Sequence, residues 1–188
     1  MTIELFSHVN GRRVVATDTA ESIGSVKGFV LDPAGRTIEA IHIDGHGKRA
    51  IVLPWSSVSS FGADAVMASS SDDPATISDD HQKSAVKGDV TMIGTRVLTT
   101  GGLDLGNVED VEFETDSGAV LRAVTGRGPL ESRRFRSLGS YALVVDPSAL
   151  VVDPSALVVD SSSATGDAPV NSAAVMPETD GRPSATDR

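Results

Sequence analysis

The sequence GRRVVAT at Gly11–Thr17 returns in altered form as GTRVLTT at Gly94–Thr100. The segments that follow also correspond, because Ile23–Val26 resembles Leu105–Val108 and a glycine-containing turn comes after each. An offset of about eighty residues is too long for a solenoid repeat and suits the duplication of one small domain. The sequence therefore predicts two copies of the same unit.

Short strands separated by tight turns make up each copy. In the first, Asp32-Pro33-Ala34-Gly35 is typical of a turn, because Asp-Pro begins turns and glycine accepts positive φ at their end. The predicted strands of this copy are Arg13–Val15, Ile23–Leu31, Arg36–Ile43, Lys48–Trp55 and Phe61–Met67. The second copy repeats the order up to Ser140–Val145, with a break predicted at Gly126–Pro129. We therefore expect an all-β chain of two small closed sheets, since closure removes exposed edges.

The composition divides the chain into four segments. Residues 1–68 form the first predicted barrel, 69–91 an exposed linker rich in serine and acids, 92–147 the second barrel, and 148–188 a disordered tail. The sequence ALVVDPS occurs at Ala142–Ser148 and again at Ala149–Ser155. We expect the first of these copies to supply the last strand of the second barrel.

Charge and cysteine content narrow the class of protein. The net charge is −10, of which residues 69–91 contribute −3 and residues 146–188 contribute −5, so each predicted barrel is close to neutral. This distribution argues against broad, non-specific binding to nucleic acid. There is no cysteine, and the sequence contains neither a signal peptide pattern nor a long apolar run. A cytoplasmic protein is expected.

The strand pattern resembles the PRC-barrel family, the small β-barrel shared by the cytoplasmic part of photosynthetic reaction-centre H subunits and a ribosome maturation factor. The residues that carry the resemblance are Gly11–Val15, Ile23–Asp32, and Val52–Val58 leading to Gly62–Val66. The second copy is similar more loosely and lacks the Pro54-Trp55 step, with Arg136-Ser137 near that position. The resemblance implies two PRC-type β-barrels in tandem that act as a non-catalytic docking module. It implies no catalytic or cofactor residue.

One local cluster of charge stands out in the second copy. Between residues 117 and 138 five arginines are opposed only by Glu131. Guanidinium groups bind carboxylates and phosphates in a forked geometry, so these side chains are the candidate partner-binding residues. A solvated barrel face is the alternative explanation. The five are Arg122, Arg127, Arg133, Arg134 and Arg136.

A second candidate is His42 with His46, which could offer two imidazoles and the Asp44 carboxylate to a metal. Asp44-Gly45 is also typical of a hairpin turn with solvated histidines, and no further strong ligand accompanies it. The sequence therefore predicts no metal site and no cofactor. No Gly-x-Ser-x-Gly elbow is present, and the sequence does not predict an enzyme.

Three functions remain open from the sequence. The first is a binding or assembly module that docks on a protein partner or a membrane-associated complex through barrel surfaces. The second is an RNA- or ribosome-associated factor that uses the Arg122–Arg136 segment. The third is a stress protein that binds a metal or small ligand near His42 and His46.

Overall fold

A computed structural model describes residues 2–44, 51–77 and 79–147. They belong to one compact unit, Met1–Val151. The described part of the chain is mostly β-structure, and none of its helices has the length and apolar character needed to span a bilayer. His46 and the tail from residue 148 onward lie outside the described residues.

The first copy forms one sheet, preceded by β1 (Ile3–Leu5) and helix α1 (Phe6–Val9). Its strands are β2 (Arg13–Ala16), β3 (Ser22–Leu31), β4 (Ile38–Asp44), β5 (Ile51–Pro54), β6 (Val58–Phe61), β7 (Ala65–Ala68) and β8 (Ala75–Thr76), with a 3₁₀ turn at Trp55–Ser57 between β5 and β6. The strand order in the sheet is β6-β7-β2-β3-β4-β5-β8.

The second copy forms a sheet of the same order, β12-β11-β10-β9-β14-β13, after helix α2 (Asp80–Lys87). Its strands are β9 (Arg96–Thr99), β10 (Asp104–Glu114), β11 (Val120–Thr125), β12 (Gly128–Glu131), β13 (Phe135–Leu138) and β14 (Ala142–Val145), with a 3₁₀ turn at Ser132–Arg134. The first ALVV segment is thus β14, as predicted. The later segments lie outside the described residues.

Matching hydrogen bonds confirm the internal repeat. The Gly11 amide donates to the Val26 carbonyl at 2.7 Å, and the Gly94 amide donates to the Val108 carbonyl at 2.8 Å. Both copies contain a parallel pair at equivalent places, since β7 pairs with β2 and β14 pairs with β9. Closure of each sheet into a barrel, and hence the tandem of two barrels, stays a prediction.

The equivalence also corrects one feature of the sequence alignment. Strand β12 starts at Gly128, inside the predicted break, and occupies the place of β5 in the other sheet. Ser132–Arg134 therefore corresponds to Trp55–Ser57, and the Pro54-Trp55 step is matched by Glu131-Ser132 rather than by Arg136-Ser137. The prediction failed because proline and glycine at an edge strand resemble a loop in sequence.

Backbone hydrogen bonds connect the two copies. Strand β1 pairs antiparallel with the end of β10, where Ile3 lies opposite Glu114. The Ile38 amide donates to the Gly118 carbonyl at 2.9 Å, and the Val120 amide donates to the Arg36 carbonyl at 2.8 Å. The β3–β4 turn thus reaches the second copy, and the β10–β11 turn reaches the first.

Aromatic side chains fill the space between the copies. Phe113 of β10 is fully buried and lies 5.4 to 6.0 Å, between ring centroids, from four rings of the first copy. Those rings belong to Phe6, Phe29, Trp55 and Phe61. Buried residues of both sheets form one hydrophobic cluster, so the copies share a core.

Residues 69–91 differ from the exposed linker that their composition predicts. Strand β8 pairs with β5, and Ala85 and Val86 of α2 pack against Val30, Ala40 and Val52 on the outer face of the first sheet. Asp79 caps α2 by accepting a 2.7 Å hydrogen bond from the Gln82 amide, and Gly88 ends it with φ of +83°. These capping residues were visible in the sequence but were outweighed by the acidic and small residues around them.

Candidate functional site

Arg122 and Arg127 lie on the β11–β12 hairpin. The Arg122 Nε donates to the Glu112 carboxylate at 2.7 Å, and Arg122 also lies opposite Glu131 in the strand register. Its charge is therefore balanced within the sheet. Arg127 is exposed at the turn before β12, whereas Arg133 follows the end of that strand. The four-residue strand between them is about 13 Å long.

Arg136 forms a forked ion pair with Asp146. Its Nε lies 2.9 Å from Oδ1 and its Nη2 lies 2.7 Å from Oδ2. The hydrogen bond from Arg136, together with the positive charges of Arg136, Arg134 and Arg36, lowers the pKa of the Asp146 carboxyl below its ordinary value. Three guanidinium groups therefore act on one carboxylate.

Arg36 is the member of this group that sequence reasoning missed. It follows Gly35 in the β3–β4 turn of the first copy, and its Nη2 donates to the carbonyl oxygens of Arg133, at 3.3 Å, and Phe135. Nothing in the sequence marks Arg36, because the segment that it contacts lies 97 to 99 residues away in the other copy. Arg36 reaches the arginines of the second copy only because the β3–β4 turn packs against that copy.

Two buried nitrogen atoms in this region have no hydrogen-bond partner among the described residues. They are Nε of Arg36 and Nε of Arg134. A buried donor without an acceptor is costly, and it is more costly when the group is charged. One donor of each guanidinium group is thus left without a hydrogen bond.

We call this group the arginine seam, because it lies where the two copies meet. Arg133 is exposed, Arg136 is exposed beside its ion pair, and Arg36 and Arg134 are partly buried. Arginine suits such a place, since its planar fork binds carboxylates and phosphates with two hydrogen bonds. The seam consists of Arg36, Arg133, Arg134 and Arg136.

His42 lies on β4, opposite Gly28 of β3, and its side chain is nearly buried. Burial and then the charge of Lys27 lower its pKa below 6.5, with Asp44 acting in the opposite direction. Across the described ranges, no group of three or more histidine and acidic side chains is arranged to hold a metal ion. The predicted partner of His42, His46, lies outside those ranges.

Comparison with known proteins supports the resemblance over the first copy. No curated protein matches the chain. The family model for the PRC-barrel domain matches residues 1–73, which cover the first sheet as far as the end of β7 and the bend that follows it. The resemblance predicted from the sequence is therefore confirmed for this part of the chain, and residues 1–73 match the PRC-barrel domain family.

Proposed function

We propose that this protein is a non-catalytic module that docks on the acidic surface of a protein partner or assembly through the arginine seam. The PRC-barrel match supports a binding or assembly role in general terms. The observation that supports the site is that the Arg36 Nη2 atom of the first copy donates to the Arg133 and Phe135 carbonyls, next to the forked ion pair of Arg136 with Asp146. Complementary charge of this kind directs association and fixes the orientation of partners.

The seam replaces the full set of five arginines as the docking site. Arg122 is balanced by Glu112 and Glu131, and Arg127 lies at the far end of β12. Arg133 offers an exposed guanidinium group without an ion pair in the described part of the chain, Arg136 is exposed beside its pair with Asp146, and Arg36 and Arg134 lie partly buried next to them. A partner carboxylate could bind there without opening the fold.

The same proposal includes a cytoplasmic location and no chemistry of its own. Its support is the family resemblance and the character of the seam, which offers positive charge and hydrogen-bond donors rather than a paired acid and base. An RNA phosphate backbone would use the same donors, so it is an outcome that the experiment must separate from a protein partner.

The test measures binding of two anionic probes to the full chain at graded salt concentrations. The probes are a fluorescent glutamate-rich peptide and a single-stranded RNA of equal formal charge. The double variant Arg133→Glu and Arg136→Glu should weaken peptide binding at least about tenfold, because two attractive contacts become repulsive. Arg13→Glu with Arg127→Glu changes the charge equally outside the seam and should bind almost normally.

Three results would count against the proposal. Equal loss in both double variants would show that only total charge matters. Unchanged binding of the seam variant would place docking elsewhere. Tighter RNA than peptide binding, with a steep logarithmic dependence on salt, would favour the RNA-associated function. Replacement of the same two residues by lysine should also weaken a forked carboxylate contact, whereas a diffuse phosphate surface would tolerate it.

A further inference from the structure

A cleft with two adjoining lobes lies beside the second half of β3 and shares no residue with the arginine seam. The first lobe has a volume of about 290 Å³ and the second about 260 Å³. Both lobes are lined by Lys27, Gly28, Phe29 and Thr91, so the β3 backbone forms their common wall. We call this feature the α2 cleft, because the end of α2 (Asp80–Lys87) lines the second lobe.

Apolar side chains form one part of the first lobe, beside the polar residues Asn10, Lys27 and Thr91. Phe6 and Phe29 stack there with ring centroids 4.1 Å apart, and Met92 and Leu31 are buried beside them. Ile93 also lines this lobe and remains 39% exposed. Apolar surface that is concave and partly open to water favours a ligand with a hydrocarbon part.

The charged side chains around the cleft are all positive. Lys27 lines both lobes, and Lys87 lines the second, where the buried imidazole of His42 adds a polar group rather than a positive charge. Among the described residues that line the cleft there is no aspartate or glutamate, in a chain of net charge −10. The nearest ion pair, Lys27 with Asp44, is long at 3.8 Å and exposed, so it holds the ammonium group weakly.

The C-terminal end of α2 does not cancel this positive charge. The Gly88 and Asp89 amides both donate to the Ser84 carbonyl, and Gly88 donates also to the Ala85 carbonyl. Carbonyl groups satisfied in this way contribute less negative potential than free ones. Lys87 is therefore the last residue of a helix whose end is already capped.

Gly28 keeps the cleft open. A Cβ atom added to Gly28 would meet no heavy atom within 4 Å, and its φ is outside the left-handed region. The position thus accepts a side chain without backbone strain. A large residue there would occupy the space shared by the two lobes.

From these observations we propose that the α2 cleft binds a small amphiphilic carboxylate, with its hydrocarbon chain in the Phe6–Phe29 lobe and its carboxylate between Lys27 and Lys87. The two lobes approach the volume typical of small-molecule sites. Lys27 and Lys87 both line the second lobe, and a lysine ammonium is a hydrogen-bond donor on a flexible stem. This site is independent of the proposed docking function, because it shares no residue with the arginine seam.

Titration calorimetry of the full chain with octanoate, 1-octanol and octylammonium tests this proposal. The three probes have equal chain lengths and differ in charge. Octanoate should bind with one site per chain, the alcohol at least about tenfold more weakly, and the amine not at all, because only the carboxylate gains charged hydrogen bonds. The proposal fails if octanoate does not bind or if the alcohol or the amine binds equally well.

Variants locate the site. Lys27→Met with Lys87→Met should reduce octanoate affinity about tenfold or more, and Gly28→Leu should abolish it. Lys83→Met is the matched control, because Lys83 lies on α2 but pairs with Asp80 outside the cleft lining. If Gly28→Leu does not fold, the exposed lysine changes still decide the question. Unchanged affinity in the lysine pair, or equal loss in Lys83→Met, would overturn the assignment, whereas Arg133→Glu should bind octanoate normally.

Discussion

At the scale of single residues, Gly118 shows how closely the two copies approach. It has φ of +73° in the β10–β11 turn, and a Cβ atom there would lie 2.7 Å from Cε2 of Trp55 in the first copy. Glycine is therefore required twice, once by the backbone conformation and once by the indole ring. The identity of this residue therefore depends on the contact between the two copies.

Gly118→Ala should lower the free energy of unfolding by about 2–4 kcal/mol, which combines a left-handed backbone cost of about 1–2 kcal/mol with overpacking against Trp55. Gly102→Ala is the matched control, because Gly102 has φ of +81° but no atom within 4 Å of an added Cβ. Gly102→Ala should lower the free energy of unfolding only by the left-handed backbone cost of about 1–2 kcal/mol. Equal losses in urea denaturation would mean that Trp55 moves aside freely.

His42 predicts a pH dependence of stability. Burial, then the charge of Lys27, lowers its pKa in the folded state below the ordinary 6.5, while Asp44 opposes the shift. A base with a lowered folded pKa binds protons more readily when unfolded, so stability is full above pH 6.5 and declines as the pH falls towards the folded pKa. His42→Gln should remove this decline in urea denaturation at pH 5 to 8. The same slope in both proteins would exclude His42 as its origin.

At the scale of secondary-structure elements, α2 combines a good N-terminal cap with weak packing, because none of its side chains is fully buried. It is held by the contact of His81 Nε2 with the Leu31 carbonyl and by Ala85 and Val86 on the first sheet. We therefore expect α2 to open locally at a lower free energy than the sheets do.

Asp79→Ala removes the acceptor of the Gln82 amide, which should weaken α2 by about 1 kcal/mol. Hydrogen exchange of the α2 amides should then accelerate about fivefold, while the sheets keep their protection. Asp72→Ala changes the same exposed residue type outside the helix and serves as the control. If global stability falls as much as α2 protection does, the helix belongs to the main cooperative unit.

Elements that depend on local sequence signals could be predicted. Elements that depend on contacts with the other copy could not. Strands β2 and β14 and the Asp32–Gly35 turn follow from alternation and turn chemistry. Strand β1 forms because β10 lies beside it, and its three residues carry no sufficient signal of their own. Arg36 joins the candidate site for the same reason. Long-range pairing of this kind cannot be inferred from periodicity within one segment.

At the scale of the whole molecule, the two copies lie in one compact unit, Met1–Val151. Each copy places a turn and its glycine against the other, and Phe113 lies among four aromatic rings of the first copy. Small sheets of this size bury too little surface to be very stable alone, so a shared core is a considerable gain. The arginine seam exists only in the joined arrangement.

Native-state hydrogen exchange of the Ile38 and Val120 amides tests most directly whether the two copies form one unit. Each of these amides donates a hydrogen bond to a carbonyl group of the other copy. If the copies form one unit, both amides should exchange only through global unfolding, with the same free energy as Ile41 and Val111 inside the two sheets. Exchange of Ile38 and Val120 at a free energy several kcal/mol lower, with Ile41 and Val111 still protected, would show that the copies separate while folded and would contradict the account.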